Sequence, residues 1–525
     1  MHPQIRKAYL RDVINSIDDQ EGKADLNSAV RLGNACEQMV AIVETDPAGR
    51  RGTRTHARKR AFSVLKRELD RVLLWNDERE QDTADASGVC ESCLHALAGL
   101  SGSLRRRDEG RKDKLAKETA RLIMDAGLLS VVMDIMARYP AELTIQEHGL
   151  GVVAQLALQD DADARATITE NFDGLAITAA ALRRFPGASA VQNQGVAILH
   201  YLGSSYLPAR QLIASEGLMP LVVAAMELHP EMAALQEAGT WTMMAMGVHN
   251  PEGRSAENEM TQKEVILASR GLEAVLNAMR THPTDSAVQL GALASLQSLI
   301  GPQVGKPPNF HPLGVPFESP FDAQTKREFV AAGGIELIIN AMNDHPTDVS
   351  IHHVSCGVLG TLIDPPLPEG QQPAKARALK GGVAKAIVRS LRTNRGSENV
   401  VLECVSTIAE LIGPVDKSDR FIARDFLRQG VARELTRVGE QYRHHGGVQG
   451  NICIAFLHIF YGGDDRHKAL LEKEPAFLAC TAHNPGMQVG DFGAIWAGFW
   501  NVIAVACCTV VVDNAYISFR GRGGG

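Results

Sequence analysis

The sequence predicts an all-α repeat solenoid, and three observations carry that prediction: a helix-favouring composition, a repeat of about 44 residues, and a proline that breaks each repeat between two helical stripes. The chain has 525 residues, of which 45% are hydrophobic and 22% charged but only 5% aromatic. An apolar fraction drawn mainly from Ala, Leu and Val suits helices better than sheets. A chain of this length exceeds one ordinary core, so it is either several domains or one elongated array.

Three copies of the repeat read clearly: GLMPLVVAAMELHPEMAALQEAGTWTMMAMG from 217 to 247, GLEAVLNAMRTHPTDSAVQLGALASLQSLIG from 271 to 301, and GGIELIINAMNDHPTDVSIHHVSCGVLGTLI from 333 to 363. Looser copies run from Gly127, Gly174, Gly382 and Gly430. In the copy from 217, Leu218, Leu221, Val222, Ala225 and Met226 form one helical stripe and Leu235, Ala238, Gly239, Thr242 and Met246 a second. Between them stands proline, which lacks an N–H and fixes φ, so it ends one helix and suits the turn into the next. Pro140, Pro186, Pro230, Pro283 and Pro346 hold this corner. They follow Tyr139, Phe185, His229, His282 and His345, whose rings are expected to pack over the end of the preceding helix.

The second stripe carries a fixed ruler. Six residues after the proline come Gln146, Gln192, Gln236, Gln289 and His352, with Val401 in the copy that lacks the proline. Three residues further on stand Gly149, Gly195, Gly239, Ala292, Ser355 and Cys404, and the ruler extends to Cys93, Cys453 and Ala494 in weaker copies. Small residues recurring in one slot mark a close crossing of two helices. Leu156, Leu202, Met246, Leu299, Leu362 and Leu411, seven residues beyond, fill the core on the same face.

The string ALQEAGTWTMMAM, from Ala234 to Met246, resembles the third helix of an armadillo repeat. GLMPLVVAAM resembles that family's second helix and LPARQLIASEG, 207 to 217, its short first helix. HEAT repeats share part of this pattern and fit less well. The resemblance implies a right-handed armadillo-type α-solenoid superhelix of about 8–9 repeats over 75–505. It also implies a concave groove, lined by third helices, that receives an extended segment or a helix of a protein partner. In the family's peptide carriers, asparagines nine residues after the Gln clamp the partner backbone. Here those positions hold Gln155, Tyr201, Ala245, Ser298, Thr361 and Glu410. Ala245 can neither donate nor accept a hydrogen bond, which argues against a carrier of basic peptides. The expected groove residues are His148, Gln155, Gln194, Tyr201, Trp241, Ser298, Thr361 and Glu410.

Outside the repeats, residues 1–74 read as an N-terminal helical cap, which a solenoid needs to stay soluble, and 506–525 as a C-terminal tail. Long loops are expected at 248–262, 301–325 and 364–373, and the middle one offers Phe310, Phe317 and Phe321 as apolar anchors for a partner. A net charge of −7 argues against a dedicated nucleic-acid binder. Basic runs at 50–67 and 105–114 read best as solvated helix faces or linkers. From Phe492 to Val512 the chain carries no charge, so membrane attachment is open only through that stretch, with a buried last helix the favoured reading.

Nine scattered cysteines and no signal peptide imply reduced thiols in a cytosolic or nuclear compartment. Cys90 and Cys93 form a Cys-x-x-Cys, but no second pair follows, so they are expected to be core residues without metal. No phosphate loop, nucleophile elbow or zinc-protease helix occurs, and Asp491-Phe492-Gly493 lacks every other kinase signature. The expectation is therefore a non-enzymatic protein-binding scaffold or adaptor without cofactor, metal or small-molecule substrate. The alternatives are a regulatory or exchange-factor-like solenoid that controls an enzyme or small GTPase, and a tail-anchored membrane adaptor.

Overall fold

The computed structural model describes residues 84–101, 112–159, 161–171, 173–247, 262–300, 320–363, 380–412, 420–462 and 465–483, with Asn34, Cys36, Ala378 and parts of 62–73. All its regular elements are helices, arranged as a repeat solenoid. They divide into two compact units, one ending at His229 and the other beginning at Pro230.

The first unit holds α1 (Ala84–Ser101), α2 (Lys112–Asp125), α3 (Leu128–Arg138), α4 (Leu143–Leu158), α5 (Ala162–Ala166), α6 (Gly174–Arg184), α7 (Ser189–Ser205), α8 (Leu207–Ser215) and α9 (Met219–Leu228). A π-helical turn, Thr167–Asn171, follows α5. The second unit holds α10 (Ala233–Gly247), α11 (Gln262–Ala268), α12 (Gly271–Thr281), α13 (Ser286–Ile300), α14 (Pro320–Ala331), α15 (Gly334–Asp344) and α16 (Val349–Ile363). It continues through α17 (Val383–Thr393), α18 (Glu398–Ile412), α19 (Arg420–Arg428), α20 (Val431–Gln441), α21 (Gly446–Gly462), α22 (Asp465–Leu471) and α23 (Pro475–His483).

Each repeat enters its second helix through one left-handed residue, where φ is positive at Gly127, Gly217, Gly333, Gly382 and Gly430 but also at Asp173 and Arg270. That fixes the frame. Gly174 and Gly271, which read as repeat starts in the sequence, stand one residue later and do a different job: a Cβ at Gly271 would lie 2.7 Å from the Ile266 carbonyl oxygen. The proline then falls thirteen residues after the left-handed residue in five copies, and Arg395 and Arg443 take its place in the two that follow.

The repeated glutamine has a clear physical task. A helix leaves its last carbonyls without partners, and one amide NH2 carries two donors. Gln146 Nε2 donates to the carbonyls of Met136 (2.8 Å) and Tyr139 (3.1 Å). Gln192 does the same to Leu182 and Phe185, and Gln289 to Met279 and His282. The third helix is thus pinned to the C-terminus of the second. Asp285 and Asp348 cap the next helix start, each carboxylate accepting two backbone N–H groups of α13 or α16.

The small-residue slot is a close crossing of second and third helices. A Cβ on Gly149 would lie 2.5 Å from Met136 Sδ, and one on Gly195 2.6 Å from Leu182 Cδ2. In the repeat from Gly430, Gln449 Nε2 donates to Gly439 and Tyr442, so the frame there is one residue earlier than Cys453 suggests. Ile452 then occupies the slot, and its Cδ1 packs 3.6 Å from the Cβ position of Gly439. Large and small have changed sides of the crossing.

The corner histidines also reach the repeat before, His229 Nε2 lying 2.8 Å from the Pro186 carbonyl oxygen. Two further expectations need correction. The segment 301–325 is not all loop, since α14 begins at Pro320 and places Phe321 in a helix. Six cysteines are not free thiols, for Cys36–Cys93, Cys356–Cys404 and Cys453–Cys480 are disulfides. Cys90, buried on α1, belongs to none of these disulfides. In the segment expected to cap the array, Phe62, Leu65 and Leu69 are buried helical residues.

Candidate functional site

The third helices are α1, α4 and α7 in the first unit and α10, α13, α16, α18 and α21 in the second, and within each unit they stack in series. Their sequences contain seven Asp or Glu and not one Lys or Arg, although the chain has 54 basic residues. Glu237, Glu403 and Glu410 sit half-buried on this layer in the second unit. An anionic segment laid along them would meet like charge from the third helices themselves.

In the first unit His148 stacks on His95 of the neighbouring third helix, with ring centroids 4.3 Å apart and planes 4° from parallel. Burial, and secondarily the proximity of His95, lowers the His148 pKa to about 4, so the ring is neutral at physiological pH. Gln194 is half-buried, and its Oε1 is shielded from solvent without a hydrogen-bond donor among the described residues. Tyr201 is half-buried with its ring tilted against His200, 5.0 Å away. Burial alone lowers His200 to about 4, and its Nδ1 lies 3.1 Å from Ser204 Oγ. Gln155 is only 7% exposed and belongs to the interior.

In the second unit Trp241 is 8% exposed and does not stand out as an anchor. Its indole lies across Gly291 of the next third helix, where a Cβ would come within 3.1 Å of Nε1. The absence of a side chain there is what lets the ring lie flat. Ser298 Oγ donates to the Ser295 carbonyl and Thr361 Oγ1 to the Gly357 carbonyl, so both hydroxyl hydrogens are used within their own helices. Glu410 accepts from Ser406 Oγ at 3.0 Å. Phe310, Phe317 and the stretch 492–512 lie outside the described residues, and the Phe321 side chain is likewise not described.

Sequence reasoning missed His95, Gly291, Gln297 and Glu403. The signal was a second offset: the residue two beyond the slot in one repeat faces the residue one before it in the next, as with Trp241 on Gly291 and Gly357 beside Glu403. Gln297, also beside Gly357, carries a shielded Oε1 without a donor among the described residues. Among the described residues no group of three His, Cys, Asp or Glu is placed to hold a metal ion, and no single helix is long and apolar enough to cross a membrane.

No family model and no curated protein matches this sequence. Among solved structures the chain is similar to an engineered protein, with a TM-score of 0.59 and 15% identity over 93% of this chain and 95% of that one. It is also similar to SYS-1, with a TM-score of 0.51 and 10% identity over 91% and 92% of the two chains. Likeness at this identity is likeness of fold, that of an all-helical repeat solenoid.

Proposed function

We propose that this chain is a non-catalytic protein-binding scaffold in which the third helices of a unit receive a neutral or basic segment of its partner. The absence of Lys and Arg from the eight described third helices carries the reading, because those helices hold seven acidic residues. Gln194 and Gln297, both half-buried on these helices, support it, since an amide side chain can accept from and donate to a partner's backbone. Ser298 and Thr361, whose hydroxyl hydrogens are already donated, can take part only as acceptors.

A photo-reactive residue placed at Gln194, at Gln297 or at Asn340 on the second-helix side tests this in native cells. Adducts from the first two positions and not from Asn340 are expected, and binding of the cross-linked partner should weaken at least tenfold in Glu237→Arg/Glu403→Arg. Adducts from Asn340 alone, or full binding by that double variant, would reject the layer as the binding surface.

A further inference from the structure

The second helices α17 and α20 differ from those before them. Counted from the left-handed residue, Lys385, Arg389 and Arg392 hold the third, seventh and tenth positions of one repeat, and Arg433, Arg437 and Glu440 hold the same positions of the next. Those offsets put each trio on one helix face, and all six side chains are exposed. At the corner position, proline in five earlier copies, stand Arg395 and Arg443. Because α17 and α20 pack together, the two rows form one grid of seven cations, with the exposed carboxylates of Glu440 and of His445-bound Glu398 at its margin.

The earlier repeats serve as an internal control. Their equivalent positions hold two cations, Arg183 and Arg280, against four acids, Asp134, Glu227, Glu273 and Glu336. The grid is therefore not a by-product of the repeat itself. Beneath it lies Glu434, 2% exposed, which accepts from Arg392 Nε at 3.1 Å, Arg395 Nη2 at 3.1 Å and Arg437 Nη1 at 3.0 Å. One buried carboxylate under three guanidiniums holds their forks in place across both helices and still leaves the cluster strongly positive. Such preorganisation lowers the ordering cost of binding an oxyanion.

We infer that this face docks an acidic segment of a protein, rich in Asp or Glu. Six of the seven cations are Arg, whose fixed fork matches a carboxylate where Lys offers only a point charge. Ten residues of helix span about 15 Å and neighbouring helices lie about 10 Å apart, a footprint that a segment of roughly ten residues covers. A nucleic acid or an anionic bilayer extends well past that footprint and meets a chain whose net charge is −7. A short segment escapes that repulsion, since exposed charges more than about 10 Å away are screened at 0.1 M salt. The grid lies on second helices, so the inference does not depend on the third-helix reading.

The test uses the full chain and a fluorescein-labelled ten-residue peptide of alternating Glu pairs and Ala, followed by anisotropy at 50 and 300 mM NaCl. Arg389→Glu/Arg433→Glu removes two cations that do not touch Glu434, and Arg389→Gln/Arg433→Gln repeats the test without charge reversal. Arg183→Glu is the control at an equivalent position of another repeat. Salt-sensitive binding by the wild type and the control, at least tenfold weaker in both double variants with unchanged circular dichroism, is the expected result. Absence of binding, equal binding by the double variants, or tighter binding of a 20-nucleotide DNA or of phosphatidylserine vesicles than of the peptide would overturn the inference.

Discussion

His282 Nε2 lies 2.7 Å from the carbonyl oxygen of Pro230 in the preceding repeat. A carbonyl can only accept, so Nε2 carries the proton and the ring bridges two successive corners. His345 makes the same bond to Pro283 at 2.9 Å, Asn394 Nδ2 donates to Pro346, and Tyr442 Oη donates to Arg395. The polar residue before each corner is thus a rung to the repeat before it. Proline contributes an unencumbered carbonyl as well as a turn.

Replacing His282 by Phe keeps a ring and deletes the donor. The bond is exposed, so the expected loss is about 0.5–1.5 kcal/mol, while His282→Asn should retain part of it as Asn394 does. Urea unfolding monitored by circular dichroism measures both. Equal stability of the Phe variant and wild type would show that the rung contributes nothing.

Gly195→Ala places a Cβ 2.6 Å from Leu182 Cδ2. Overpacking of this kind costs roughly 1–3 kcal/mol, and the contact is between two named side-chain sites, so Leu182→Ala should recover part of the cost in a double-mutant cycle. The swapped pair Gly439 and Ile452 shows that the crossing tolerates bulk on either side. Strict additivity of the two single effects would refute the crossing as the cause.

The corner proline, the glutamine and the small slot were legible in the sequence because each is set by contacts within one repeat and recurs with it. The His282–Pro230 rung was not, since sequence period does not reveal which atoms of successive repeats meet. Connectivity of cysteines is likewise not deducible from spacing alone, and Cys93, Cys404 and Cys453 looked like small-slot residues although all three are bonded to other cysteines. Gln449 and Ile452 were missed because the expected small residue had moved to Gly439 on the other helix. Trp241 was judged by residue type, whereas the empty space at Gly291 decides where its ring lies.

Arg270 occupies a left-handed position, φ 67°, that five other repeats fill with glycine. A side chain there costs roughly 1 kcal/mol in backbone strain, and the ion pair to Glu273 that it supports joins groups 65% and 55% exposed, which contributes little. Arg270→Gly should therefore raise stability by about 0.5–1 kcal/mol after the entropy of the more flexible unfolded chain is subtracted. A melting temperature at or below wild type would show that Arg270 is held by more than that pair.

Acid should loosen the array through its buried histidines. His200 is buried with a pKa of about 4, against 6.5 for the unperturbed ring, so the unfolded chain binds the proton more tightly than the folded one. Its contribution is fully present above pH 6.5 and is lost as pH falls from there towards 4, up to about 3 kcal/mol. His352 acts in the same direction, since burial is the largest influence on its ring and lowers its pKa. It stands in the glutamine position, facing the carbonyls of His345 and Pro346, yet neither nitrogen meets a partner in hydrogen-bonding geometry among the described residues. His352→Gln supplies the two donors that pin the other third helices and deletes a group that must charge in acid. The variant should gain about 1 kcal/mol at pH 7, and its advantage over wild type should widen between pH 6.5 and 5. Melting temperatures across that range decide the matter: a constant difference from wild type would assign the acid sensitivity elsewhere, and a less stable variant at pH 7 would mean that the glutamine geometry is not available at this corner.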